Sequence, residues 1–186
     1  SIVAHCVHVD EADMDLLASS GATVTHQPHS NMGNAVGRAP VLSMQERGVR
    51  TALGTDGYTW DLLETMRTAA VLHAHATGAP GAGVGEFGRM LLAGNATLAS
   101  AIFGHPVGAI APGAAADLVL WDYHPPTPFT PGNLPWHMQF GMAAPLVHTV
   151  WVGGRCALRD RQVPGIDEAA LAAEAHALAL GVWRRF

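Results

Sequence analysis

Residues 1–7 are apolar from the second position, the reading of a strand buried in a parallel sheet. Polar and apolar positions then change to a helical period. The pattern predicts a helix over 10–20, with Asp10 as cap, Asp13 in the first turn, Met14 and Leu17 on one face and Gly21 closing it. A second strand follows over 22–25 and ends in a polar loop, His26 to Asn31. Residues 33–37 form a glycine-punctuated loop. A helix over 40–47 carries Pro40 in its first turn and Gly48 after its end. Val49, Thr51 and Leu53 alternate as a third strand, which stops at Gly54 and Gly57. Asp61, with Glu64 three residues on, starts a longer helix reaching Thr77.

This β-α-β-α-β-α order with short connections predicts parallel strands joined by right-handed crossovers. His5, the loop from His26 to Asn31, and Asp56 then lie at the carboxyl ends of three strands. In an open α/β sheet or a closed barrel that edge carries the chemistry. Asp56 there can bind a metal, take a proton or hold a substrate hydroxyl or amine. It can equally cap the next helix or stiffen the turn.

Further along, residues 78–88 read as a loop, and 87–93 and 97–103 as short helices, the second capped by Asn95 and ended by Gly104. After His105 the pattern changes. A turn-rich run over 107–113 leads to a strand over 116–122, and residues 125–135 form a proline-rich loop without secondary structure. A strand over 147–152 turns at Gly153-Gly154 into 156–158, a hairpin signal. Asp167 caps an alanine-rich helix running to Phe186. The expected division is therefore 1–105 for the parallel α/β part, 106–165 for a small β layer and 166–186 for the terminal helix.

Composition narrows the function classes. The 186 residues are 49% hydrophobic and 13% charged, enough to bury a sizeable core. A formal net charge of −5 without a basic stripe argues against a nucleic-acid partner. No apolar run is long enough to span a membrane. The two cysteines, Cys6 and Cys156, form neither a disulfide framework nor a paired-cysteine zinc site, so a cytoplasmic location is expected.

Three runs carry a family resemblance: Ala4-His5-Cys6-Val7-His8-Val9, His26-Gln27-Pro28-His29-Ser30-Asn31 and Leu53-Gly54-Thr55-Asp56-Gly57. In this order they resemble successive strand-end motifs of the amidohydrolase superfamily, closest to its aminohydrolase and chlorohydrolase branch. The run from Gly108 to Val119 and the Val152-Gly153-Gly154-Arg155 turn are similar to the β-sandwich segments that follow its barrel. The variants Ser30-Asn31-Met32-Gly33 and Asp56-Gly57-Tyr58-Thr59 are similar to aminohydrolases linked to selenium-dependent metabolism.

The resemblance implies an α/β fold: the C-terminal part of a (β/α)8 TIM-like barrel with part of a small β-sandwich. It implies a metal-dependent hydrolase of deaminase or chlorohydrolase type, in which water activated by a zinc ion attacks an sp2 carbon of a heterocycle or amidine-like small molecule. Asp56 matches the final-strand aspartate that binds metal and shuttles protons. His5 matches the sixth-strand histidine that orients or polarises the water, or serves as a ligand in two-metal relatives. His29, Asn31, Tyr58 and Trp60 are candidates to line the substrate pocket, and His26 is expected to be structural or at the rim.

The departures are equally specific. The family's first-strand His-x-His pair and its fifth-strand histidine with nearby glutamate are absent. His73-Ala74-His75 has the spelling of the former but lies in a helical stretch. The remaining ligands are expected in a missing N-terminal part, without which the chain is expected to be inactive. When complete, the protein is expected to form a homo-oligomer. The alternative is a non-catalytic fragment that completes a barrel or binds a partner.

Overall fold

A computed structural model describes all residues, Ser1–Phe186. They divide into two compact units, Ser1–Ala115 with Tyr123–Leu146, and Ala116–Asp122 with Val147–Phe186.

The first unit is built on three parallel strands, β1 (Ile2–Ala4), β2 (Thr23–His26) and β3 (Arg50–Leu53), in the order β1-β2-β3. Ala4 pairs with Thr25, which pairs with Ala52, so the three carboxyl ends finish side by side. Helix α1 (Glu11–Ser20) joins β1 to β2, and α2 (Pro28–Gly33) and α3 (Val41–Glu46) join β2 to β3. Asp10 and Asp13 close a capping box at the start of α1, and Gly21 ends it in the left-handed region at φ 69°. Met14, Val24, Met44 and Val49 form a core in which α1 and α3 pack on the sheet.

Helix α4 (Leu62–Thr77) starts on Asp61, whose carboxylate accepts from the Leu63 and Glu64 N–H groups. Its buried face is Leu63, Thr65, Met66, Ala69, Ala70 and His73. The 3.6-residue period of α4 brings these positions to one side, which packs against β3 and the helices around it.

Helix α5 (Val84–Arg89), a π-helical turn over Met90–Gly94 and α6 (Asn95–Phe103) follow without a break. The turn packs on β3 because Gly94 has no side chain. A Cβ there would overlap the Thr51 carbonyl oxygen. Asn95 does not cap a helix as expected. Its carboxamide accepts from Leu53 N–H at 2.8 Å and donates to Leu53 C=O at 3.1 Å. It thus pairs with the edge of β3 as a neighbouring strand would.

Two further expectations are corrected. Residues 28–33 are helical rather than loop, because Pro28 stands in the first turn, where its missing N–H costs nothing. The proline-rich stretch leads into α7 (Leu134–Phe140), with Pro135 again in the first turn. Arg67 of α4 donates twice to the Met138 carbonyl, at 2.9 and 2.8 Å, fastening α7 in place.

The second unit holds an antiparallel sheet of β4 (Leu118–Trp121), β5 (Val147–Val152) and β6 (Arg155–Leu158), with β5 central. The β5–β6 hairpin turns at Gly153 and Gly154, at φ 55° and 78°, where positive φ is required at both positions. Gly153 N–H donates to Asp117 Oδ1 at 2.6 Å. Helix α8 (Glu168–Trp183) begins on Asp167, which accepts from Ala170 N–H at 3.0 Å, and none of its residues is buried.

Candidate active site

The strand ends bring His5, Asn31 and Asp56 together. β1 ends at Ala4, and the chain then turns through His5 and Cys6 at φ 66° and 49°. Neither residue is glycine, and the left-handed region costs a residue with a Cβ roughly 1–2 kcal/mol. The turn is held by hydrogen bonds. His5 N–H donates to Thr25 C=O and to Gln27 Oε1, both at 3.0 Å, and Gln27 Nε2 donates to Thr25 Oγ1 at 2.7 Å. Gln27 thereby links β1 to β2 at the point where the strain is stored.

From that turn His5 directs its ring across the sheet edge. Nδ1 is 2.8 Å from Asn31 Oδ1, and Nε2 is 3.7 Å from Asp56 Oδ2. Asn31 belongs to α2 and is 1% exposed, whereas the His5 and Asp56 side chains are 42% and 44% exposed.

Asp56 follows β3 and is also left-handed, at φ 53°. Hydrogen bonds from the Ser30 side chain and from Gly57 N–H, together with the His5 ring, hold its carboxyl below the usual carboxylate range. Asp56 is therefore ionised at neutral pH. Burial and the Asp13 carboxylate push the Cys6 thiol up, which disfavours its thiolate.

The structure places the other candidates as follows. His29 Nε2 is 2.9 Å from Thr68 Oγ1 and 3.9 Å from Glu64 Oε1, tying α2 to α4. Glu64 also accepts from Thr59 Oγ1 at 2.8 Å, so the chain after Asp56 is tied to the same helix. Tyr58 covers Gly33, where a Cβ would overlap its ring. Trp60 is 99% exposed.

His26 is fully buried rather than at the rim. It shares a face of β2 with Val24 and packs against His73 and Phe87, at ring separations of 5.5 and 5.9 Å. His73, the first histidine of the misleading His-x-His spelling, is fully buried and bonds Arg38 through Nδ1 at 3.1 Å. Sequence reasoning did not single out Gln27 or Ser30. Their only sequence signal was membership of the polar run at the end of β2.

As a seat for a divalent metal, the His5–Asp56 pair fits in part. A histidine nitrogen and a carboxylate oxygen are zinc-type donors, and 3.7 Å is within the span of two ligands each about 2.0–2.2 Å from one ion. A catalytic zinc takes about three protein ligands. No group of three or more His, Cys, Asp or Glu side chains suited to a metal is assembled on this chain.

The chain as a whole is similar to known proteins. Residues 1–157 match the amidohydrolase family, and the chain belongs to it. It is 38% identical to a 5-methylthioadenosine/S-adenosylhomocysteine deaminase of Pelotomaculum thermopropionicum, over 99% of this chain and 43% of the relative. Among solved structures it resembles an adenosine deaminase from Xanthomonas campestris with bound zinc, at a TM-score of 0.82 and 30% identity, over 95% of this chain and 41% of that one. It also superposes on a variant of atrazine chlorohydrolase from Arthrobacter aurescens with zinc and atraton, at a TM-score of 0.78 and 20% identity, over 95% of this chain and 40% of that one. The chain thus spans about two fifths of the length of the relatives it matches. No helix is long and apolar enough to cross a membrane.

Proposed function

We propose that this chain supplies the final strand-end part of the active site of a zinc-dependent aminohydrolase that removes the exocyclic amino group of an adenine nucleoside. The observation that carries the reading is the His5–Asp56 pair, two zinc-type donors facing one space from the ends of the two outer strands of one parallel sheet. The names of the relatives at 38% and 30% identity support deamination over dechlorination. In this reading the parallel sheet is an arc of a (β/α)8 barrel, and the other metal ligands come from residues outside this chain.

Asp56 would hold the metal, with His5 facing the same space. When bound, the metal supplies Lewis acidity, bringing the pKa of a coordinated water near 7. The rest is done by this chain's own groups. Asp56, ionised at neutral pH, accepts a proton from the attacking water as the oxygen–carbon bond forms. It returns that proton to the amino nitrogen as the carbon–nitrogen bond breaks, and ammonia leaves. His5, held by Asn31 and Gln27, keeps the water aligned with the carbon.

Ammonia release from adenosine, 5′-deoxyadenosine and 5-methylthioadenosine tests this, with the protein carrying all its metal ligands. Deamination of at least one of them, lost in Asp56→Asn, is the expected result. Turnover of none of them, or full activity in Asp56→Asn, would overturn it.

A further inference from the structure

The contact between Asn31 and His5 decides which nitrogen of His5 carries hydrogen. A neutral imidazole has one N–H and one bare nitrogen, and the partner of one fixes the state of the other. Asn31 Oδ1, 2.8 Å from Nδ1, can only accept, which places the hydrogen on Nδ1.

The far edge of the ring agrees. An N–H aimed at a carboxylate closes to about 2.7–2.9 Å. Nε2 stops 3.7 Å from Asp56 Oδ2, and Asp56 takes its hydrogen bonds from Ser30 and Gly57 instead. If the carboxamide were turned over, Nδ2 would donate to Nδ1 and the ring hydrogen would point at Asp56, where the gap is too wide for that bond.

The Asn31 backbone is fixed: it is buried in α2, its N–H donates to Gln27 C=O at 3.0 Å, and its C=O accepts from Val36 N–H at 3.1 Å, while the side-chain Nδ2 is buried without a partner, so the contact to His5 is the only hydrogen bond of the carboxamide. The same Gln27 holds the His5 N–H through its side chain.

We propose that Asn31 is a positioning residue that keeps His5 as the Nδ1–H tautomer, so that a bare Nε2 and the Asp56 carboxylate face one space as two acceptors. Two acceptors 3.7 Å apart do not bond each other. Between them they favour a group that brings hydrogens or positive charge, either a water donating to both or a divalent cation. Asn31 thus acts through His5 and not by touching substrate. The meaning of this device for catalysis rests on the aminohydrolase reading, but the tautomer does not.

The test is NMR of the protein labelled with 15N at histidine, correlating ring nitrogens with ring protons at pH 8. The His5 signals are identified as those lost in His5→Gln. The expected wild-type pattern is a protonated Nδ1 and a bare Nε2. Asn31→Asp keeps an acceptor and should keep that pattern. Asn31→Leu removes the acceptor and should move the hydrogen to Nε2, with the other histidine signals in place as the control for folding.

A wild-type Nε2–H, or an Nδ1–H that persists in Asn31→Leu, would overturn the proposal. The wild-type spectrum decides it even if the leucine variant does not fold. In active protein, Asn31→Leu should lower kcat about 10–100-fold with KM little changed, and Asn31→Asp should lose less. A protein without deaminase activity but with the expected tautomer would sink the proposed function and leave this inference standing.

Discussion

His5 Nε2 and Asp56 Oδ2 face each other at 3.7 Å although β2 runs between the strands that deliver them. Both residues have left-handed backbone, at φ 66° and 53°. Two non-glycine residues in that region, meeting across a sheet edge, are a costly arrangement for a structural loop. It persists because Gln27 and Thr25 hold the His5 N–H, and because Asp56 accepts from the next residue's N–H at 2.7 Å. The strain lies on the two side chains to which the chemistry is assigned.

Asp56→Asn separates chemistry from backbone. Asparagine, like aspartate, is among the non-glycine residues that best tolerate the left-handed region, so the turn survives. The variant should lose about 10³-fold or more in kcat/KM, about 4 kcal/mol of barrier, while its melting temperature stays near that of the parent. Steady-state kinetics beside a thermal melt check this. A variant that unfolds along with losing activity would mean that the carboxylate is structural.

Gln27→Met keeps the volume and removes both hydrogen bonds of the carboxamide. Thr25 Oγ1 and part of the bonding of the His5 N–H are then left unmet in a partly buried setting. The expected loss is about 1–3 kcal/mol of stability, read from the urea midpoint. Activity should fall with it, because the His5 turn relaxes. An unchanged midpoint would show that water replaces the carboxamide at no cost.

What the sequence revealed was what is encoded locally. Asp10, Gly21, Asp61, Asp167 and the Gly153-Gly154 turn each act within a few residues, and each does in the structure what its spelling implies. The order of strand ends was legible too, because alternating strand and helix periods leave few topologies. The support of the site was not. Gln27 meets His5 across 22 positions and Asn95 meets Leu53 across 42, with no periodicity to mark either pair. Helix α2 was hidden by a polar run read as a loop and the start of α7 by a proline-rich one, although Pro28 and Pro135 are harmless in a first turn.

Gly94→Ala tests the packing of the π-helical turn on β3. The added methyl would meet backbone, the Thr51 carbonyl oxygen, rather than the movable end of a side chain. Either the turn withdraws or the Asn95–Leu53 pairing stretches. A destabilisation of about 1–3 kcal/mol is expected despite the better helix propensity of alanine. A denaturant melt showing a neutral or stabilising change would mean that the turn has room to move.

Acid should unfold the protein through its buried histidines. Burial, then the charges of His73, Arg38 and His5, lowers the pKa of His26 to about 3, and burial with Arg38 lowers that of His73 to about 4. The Arg38 guanidinium donates to His73 Nδ1, so a protonated His73 would lose that bond and face a like charge. Both groups are bases whose folded pKa lies below the unfolded value of about 6.5. Their neutral burial is therefore without penalty above about pH 6.5. The folded state loses stability as pH falls below that value, until each folded pKa is passed near pH 4 and pH 3. Each histidine contributes roughly 1.4 kcal/mol per pH unit in that window, so at pH 5 the pair removes roughly 4 kcal/mol. Urea unfolding at pH 7.5 and pH 5.0 measures the difference, and His26→Leu should remove about half of it. Equal stability at the two pH values would show that these rings already take up protons in the folded state.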